Sequence, residues 1–265
     1  MHFEGTVRKM RTELKEVVQY FLPLGNSEVY MNELIGSEIN IKHTGAINCI
    51  RCDRLTRNSF AQGYCYPCFI SAPETEECVL RPELCRAHEG VARDMEFAAS
   101  HCLIDHYVYL AQTPGIKVGV TRSTQIPTRW IDQGADRAVR LARTPNRYTA
   151  GLLEVALKDI FPDKTSWKQM LSGKTILDTD LIQEKGNALE LMPFDLRQYF
   201  IENDEIAEIT YPVLSFPSGI KSINMDKTKE FSGRLNGIKG QYLIFEDGRV
   251  INIRKYGGYY LAITG

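Results

Sequence analysis

All seven cysteines of this 265-residue chain fall between Cys49 and Cys102. Four of them form two knuckles, Cys49-x2-Cys52 and Cys65-x2-Cys68, with twelve residues between. Each knuckle turns two thiolates toward one point. Two knuckles close a tetrahedral four-sulfur site, the usual structural zinc geometry. Cys78, Cys85 and Cys102 remain, and His88 follows Cys85 at Cys-x2-His spacing. Cys78, Cys85 and His88 offer three ligands to a second ion. Cys102 offers the fourth, with His101 and His106 as competitors for that place. Two zinc ions would account for every cysteine of an odd set. Both sites read as structural, because four protein ligands leave no position open for chemistry.

The segment Met1–Arg11 is polar, with no apolar signal core, and no apolar run approaches the roughly 20 residues of a membrane span. The chain therefore reads as soluble and cytoplasmic, with no membrane association, and structural disulfides are rare in that compartment. A hydrophobic content of 43% with 25% charged residues excludes a disordered chain, and a net charge of −1 excludes a wholly basic nucleic-acid binder.

Residues 1–47 read as a β-rich segment, because Ser37–Lys42 alternates polar and apolar side chains. Residues 48–105 hold the cysteines and little apolar periodicity, so metal supplies the staple that a core would give elsewhere. In residues 106–185, Tyr107–Ala111 and Ile116–Thr121 read as strands joined by a Thr113-Pro-Gly115 turn. A helix is predicted from Ser123 or Thr124 to about Gly134, with Pro127 in its first turn. A third strand covers Arg137–Ala142, and a second helix covers Thr149–Phe161. Residues 186–205 read as an acidic helical connector, part of a stretch from 174 to 205 that carries a charge of −5. Residues 206–265 return to strands, with a tight turn at Asp247-Gly248 between Gln241–Phe245 and Arg249–Arg254. The two β-rich ends are candidates to pack together. The fold class is α+β.

Tyr107-Val-Tyr-Leu, Lys117-Val-Gly-Val-Thr, Thr128-Arg-Trp and Leu153-Glu-Val-Ala-Leu157 follow one another in the middle segment. In that order they resemble the core of the GIY-YIG nuclease superfamily, over roughly residues 106–165. The whole chain, with cysteines ahead of this core, also resembles a bacterial domain family of unknown function. The superfamily resemblance implies a small α/β core with one helix carrying an arginine and another carrying a metal-binding glutamate, so the α+β chain reads as a GIY-YIG-like core beside the zinc-binding insert and the flanking β-rich segments. It implies that Tyr109 takes the place of the first-motif tyrosine and Gly119 that of the second-motif glycine. It further implies that Arg129 contacts the scissile phosphate and that Glu154 holds Mg2+ or Mn2+. Lys117 stands where many members carry a second tyrosine that handles the attacking water, so the resemblance leaves cleavage open. Phosphodiester cleavage needs a cation on the developing oxyanion, a metal held by carboxylate and a group that orients water. Arg129, Glu154 and Tyr109 are of those types. Plainer roles exist for each: Glu154 pairing with Lys158, Arg129 with Asp132, Gly119 as a packing glycine.

Charge placement favours DNA or RNA as partner. Lys117–Arg147 carries +5, including Arg122, Arg137, Arg140, Arg143 and Arg147, and Lys42–Phe69 carries +3 alongside Tyr64, Tyr66 and Phe69. The leading expectation is a zinc-containing nucleic-acid-binding protein, with endonuclease activity if the core is active. The competing one is a non-catalytic module that presents a surface to RNA, the ribosome or a protein.

Overall fold

The computed structural model describes residues 1–161, 166–173 and 179–265. It is a mixed α+β protein. In chain order the N-terminal part gives β1 (His2–Thr6), β2 (Arg11–Glu13), β3 (Gln19–Leu24), β4 (Ser27–Tyr30) and β5 (Glu38–Ile47). The cysteine region holds two short helices, α1 (Tyr66–Ser71) and α2 (Met95–His101), joined by single 3-10 turns. The middle gives β6 (His106–Gln112), β7 (Ile116–Arg122), α3 (Thr128–Asp132), β8 (Arg137–Thr144) and α4 (Arg147–Leu157). Then follow α5 (Trp167–Met170), α6 (Leu181–Leu191), β9 (Ile206–Glu208), β10 (Lys221–Ser222), β11 (Glu230–Lys239), β12 (Tyr242–Phe245), β13 (Arg249–Asn252) and β14 (Tyr259–Thr264).

The two chain ends build one seven-stranded sheet in the order β1-β14-β5-β11-β12-β13-β10. Ile39 and Ile41 alternate inward on β5, as the polar–apolar period of that segment requires. A three-stranded sheet, β2-β3-β4, shares their core through Tyr20, Leu22 and Leu24.

A third sheet, β7-β6-β8-β9, is antiparallel throughout. The pleat of β6 sends its two faces to different cores. Tyr109 and Ala111 join the core of the large sheet, whereas Val108 and Leu110 are covered by α4 and α6. On α4, Ala150, Leu153 and Leu157 point into that second core. Truncating Leu153 to Ala would cost about 2–5 kcal/mol.

Two predicted helices differ in extent. The one expected from Ser123 to Gly134 is broken: a 3-10 turn covers Ser123–Gln125, Ile126 is extended, and α3 begins only after Pro127. The proline ring disfavours helical geometry at the residue before it. The helix expected from Thr149 begins at Arg147, because the Asn146 side chain accepts from the Thr149 backbone N–H at 2.9 Å and caps it. In the acidic connector, Asp180 caps α6, and Glu190, Asp195, Glu202, Asp204 and Glu205 are exposed. Lys174 and Asp178 lie outside the described residues.

Candidate metal centres and a cationic cavity

The knuckle Cys49–Cys52 follows β5 directly. Asp53, in the left-handed region at φ 56°, turns the chain there and donates its N–H to the Cys49 carbonyl at 2.9 Å. Cys65 precedes α1 and Cys68 lies in its first turn. This folding brings ligand atoms of Cys49, Cys52, Cys65 and Cys68 all within 4.8 Å of one another. Burial resists ionisation of Cys49, yet backbone N–H groups of Cys65, Cys52 and Arg51 outweigh it and pull the thiol down to about 6. Burial and the other three thiols push Cys68 up to about 12. A cluster in which one thiol ionises readily and another resists it suits a dication, which would favour the thiolate form of its ligands. Four thiols at this spacing match tetrahedral zinc. Beside it, the Phe60 ring stacks on Phe69 at 5.7 Å and meets Tyr66 edge-on at 5.4 Å.

Cys78, Cys85 and Cys102 form the second cluster, again with ligand atoms within 4.8 Å and with all three residues buried. His88 is not among the gathered atoms. Its 3-10 turn, Ala87–Glu89, lays the ring on Tyr148 at 4.3 Å. His101 stacks on Phe97 at 3.7 Å, and His106 turns Nδ1 to the Ile104 carbonyl at 2.8 Å. The neighbour that does reach the cluster is Arg147. Its Nη1 donates to the Cys78 carbonyl at 3.4 Å and lies 3.8 Å from the Cys78 sulfur, and its Nη2 donates to the His101 carbonyl at 3.2 Å. Hydrogen bonds from Cys102 and Cys78 hold the Cys85 thiol down at about 3, and the reciprocal bonds push Cys102 far up. This set also fits zinc, with three protein thiolates.

The motif residues of the middle segment converge. Tyr109 pairs across the strands with Gly119, and its ring passes over that glycine. A Cβ at position 119 would sit 2.6 Å from the Tyr109 hydroxyl oxygen, so the residue opposite must be glycine. Burial raises the Tyr109 pKa, Arg129 beside the hydroxyl opposes that, and Glu154 adds to it. The Tyr109 hydroxyl makes no hydrogen bond of good geometry, although Arg129 and Gln133 are adjacent. Glu154 is buried on α4 with Lys158 Nζ at 3.8 Å, the i,i+4 pair anticipated from the sequence. Lys117 is buried on β7. Asp132 does not pair with Arg129; Lys9 and Gln241 take it instead.

Arg129 opens onto a cavity of about 240 Å³, which Lys9, Arg122, Arg147 and Arg254 also line. Asp132 is the one carboxylate on its wall. Burial lowers the Arg122 pKa and nearby Arg147 adds to this; burial likewise lowers Arg254, with Arg129 adding to it. Like charges pressed together in a half-buried space mark a place that an anion would stabilise. Of the five arginines expected to meet nucleic acid, Arg122 and Arg147 face this cavity. Arg140 reaches Glu205 at 3.2 Å, Arg143 pairs with Asp105, and Arg137 lines a different cavity beside Asp136 and Lys239. Lys9 and Arg254 were not anticipated. They lie 245 positions apart in the chain and meet only because the two ends share a sheet.

Fold and site together define an α+β protein with two cysteine clusters able to hold zinc and a cationic cavity between its sheets. The chain belongs to the DUF2797 family, described as proteins of unknown function, whose profile matches residues 36–261. No curated protein and no solved structure matches it. No helix among the described residues is long and apolar enough to cross a membrane.

Proposed function

We propose that this protein binds nucleic acid through a GIY-YIG-like module, residues 106–185, carrying a zinc-stabilised insert at 48–105, and that it hydrolyses a phosphodiester there when loaded with Mg2+ or Mn2+. The observation that supports this is the meeting of Tyr109, Arg129 and Glu154 from β6, α3 and α4, with Arg129 lining the cationic cavity. Arg129 would hold the phosphate with a fixed, always-charged fork and neutralise charge as the transition state forms. Tyr109 would orient water. Glu154 would hold the cation, and the cation would supply Lewis-acid polarisation of the phosphate. The flanking segments 1–47 and 206–265 and the acidic connector 186–205 would serve as scaffold.

A non-catalytic binder is the second reading. Lys117 in place of a tyrosine and the Glu154–Lys158 pair favour it. Turnover of labelled DNA and RNA with Mg2+, Mn2+ or chelator separates the two. Glu154→Gln should lower cleavage by about 100- to 1,000-fold while sparing binding, and Arg129→Ala should lower both. Cleavage that survives Glu154→Gln would end the catalytic assignment. An absence of cleavage on any substrate would leave the binder.

A further inference from the structure

A second cavity, of about 430 Å³, adjoins the first. It is lined by Arg8, Lys9, Tyr64, Glu74 and Arg254, among others. Lys9 and Arg254 line both cavities, so the two form one trough. Its walls carry six cations, Arg8, Lys9, Arg122, Arg129, Arg147 and Arg254, against the carboxylates Glu74 and Asp132. Asp132 is already committed to Lys9 and Gln241, and Arg8 makes no ion pair among the described residues. The trough therefore holds excess positive charge in a chain of net charge −1. Arg129 lines only the first cavity. The half-buried Tyr64, chain neighbour of Cys65 in the four-cysteine cluster, lines only the second. One buried group on the wall lacks a partner. His106 is 1% exposed and its Nε2 makes no hydrogen bond. Because Nδ1 faces the Ile104 carbonyl at 2.8 Å, Nδ1 carries the hydrogen and Nε2 is left as an acceptor.

We infer that this trough is the track of a single-stranded nucleic acid, several nucleotides long, running from Arg129 past Lys9 and Arg254 to Arg8 and Tyr64. The inference rests on the nucleic-acid reading above and extends it to residues outside the middle module. A row of cations ending at an aromatic ring is the chemistry of single-strand binding: charge follows the backbone and the ring takes a base. In a duplex the bases are paired and stacked, so none is free to lie on the Tyr64 ring, whereas a single strand offers its bases. An acidic peptide would satisfy the cations but has no use for the ring. The His106 acceptor calls for a hydroxyl or amine hydrogen, which sugars and bases carry and phosphates lack.

The test uses the full metal-loaded chain and fluorescein-labelled oligo-dT and oligo-U of 4, 8 and 12 nucleotides, with a 12-base-pair duplex for comparison. Anisotropy is read at several salt concentrations. Affinity should rise about tenfold or more from 4 to 12 nucleotides, and the single strand should bind more tightly than the duplex. Arg8→Glu should lower 12-mer affinity by about tenfold and flatten the salt dependence by about one or two phosphate contacts. Tyr64→Ala should lower it by about tenfold without changing the salt slope. A 4-mer that binds as tightly as the 12-mer, a duplex preference, or an Arg8→Glu protein of unchanged affinity would overturn the track. If Arg129→Ala still weakens binding in those cases, the reading of the middle module stands. Displacement of the 12-mer by polyglutamate as readily as by unlabelled strand would overturn the track in favour of an acidic protein partner. No binding of any strand at low salt would overturn both.

Discussion

The two cysteine clusters solve the same problem in different surroundings. Cys49, Cys52, Cys65 and Cys68 supply four ligands from one short stretch, with Cys52 exposed and an aromatic trio beside them. All its ligands come from that stretch, and the loop rests on the backbone of Gly257 and Gly258. Cys78, Cys85 and Cys102 are all buried, and their loop lies on α4, whose first residue, Arg147, touches Cys78. The 3-10 turn Pro82–Leu84 packs along the same helix. The first cluster staples itself. The second fastens its loop to the helix that carries Arg147 and Glu154. A metal ion would therefore act locally in one cluster and be felt at the cavity in the other.

The strongest way to break this comparison is to remove one ligand from each cluster. Cys85→Ser should reduce metal from two ions to one and lower nucleic-acid affinity about 100-fold or more, because Arg147 and the loop wall of the cavity lose their anchor. Structural zinc is worth about 10–16 kcal/mol of apparent binding energy, so loss of order in that loop should follow. Cys52→Ser should also leave one ion, but cost about tenfold in affinity, through Tyr64 alone. Metal analysis with anisotropy reads both. Equal losses would erase the distinction.

Acid should act on the buried side of the molecule. Burial pushes His106 down to about 4, with Arg147 and Arg122 adding to this and the Ile104 carbonyl opposing it. The unfolded chain takes up this proton near 6.5, and the folded chain refuses it until about 4. The stability contributed by neutral His106 is therefore complete above pH 6.5 and is lost as pH falls through that interval. The total is about 3 kcal/mol. His106→Gln should flatten urea midpoints compared at pH 7 and pH 5. An unchanged slope would place the acid-sensitive group elsewhere.

Smaller effects sharpen the picture. Gly151→Ala on α4 would put a methyl 2.2 Å from the Glu83 backbone nitrogen and should cost about 1–3 kcal/mol in thermal or urea unfolding. Arg143→Gln, which removes an exposed pair with Asp105, should change stability by less than about 1 kcal/mol and leave affinity within about twofold. A large loss of affinity in that variant would return Arg143 to the binding surface.

The sequence revealed what repeats at short range. Cysteine spacing located the first cluster, period-two alternation located β5 and β8, and the Thr113-Pro-Gly115 turn located the hairpin of β6 and β7. It misled where spacing alone stands in for direction. Cys-x2-His puts His88 near Cys85 in the chain, yet the turn that carries it sends the ring to Tyr148. Local charge density had the same weakness. It listed Arg140 and Arg143 as nucleic-acid contacts without locating their acidic partners Glu205 and Asp105, which lie 65 and 38 positions away. Lys9 and Arg254 had no signal at all, since only the pairing of the chain ends creates their meeting.

Gly151 carries a mechanical consequence. With no side chain between them, the helix and the Pro82–Glu83 backbone bear directly on one another. Two rigid surfaces in bare contact behave as a hinge without slack, so displacement of the cysteine loop is handed undiminished to Arg147 and Glu154, one turn before and one turn after. Hydrogen exchange at the amides of Gly151 to Val155 should then serve as a gauge of metal occupancy at the second cluster, slow when it is filled and fast when it is emptied.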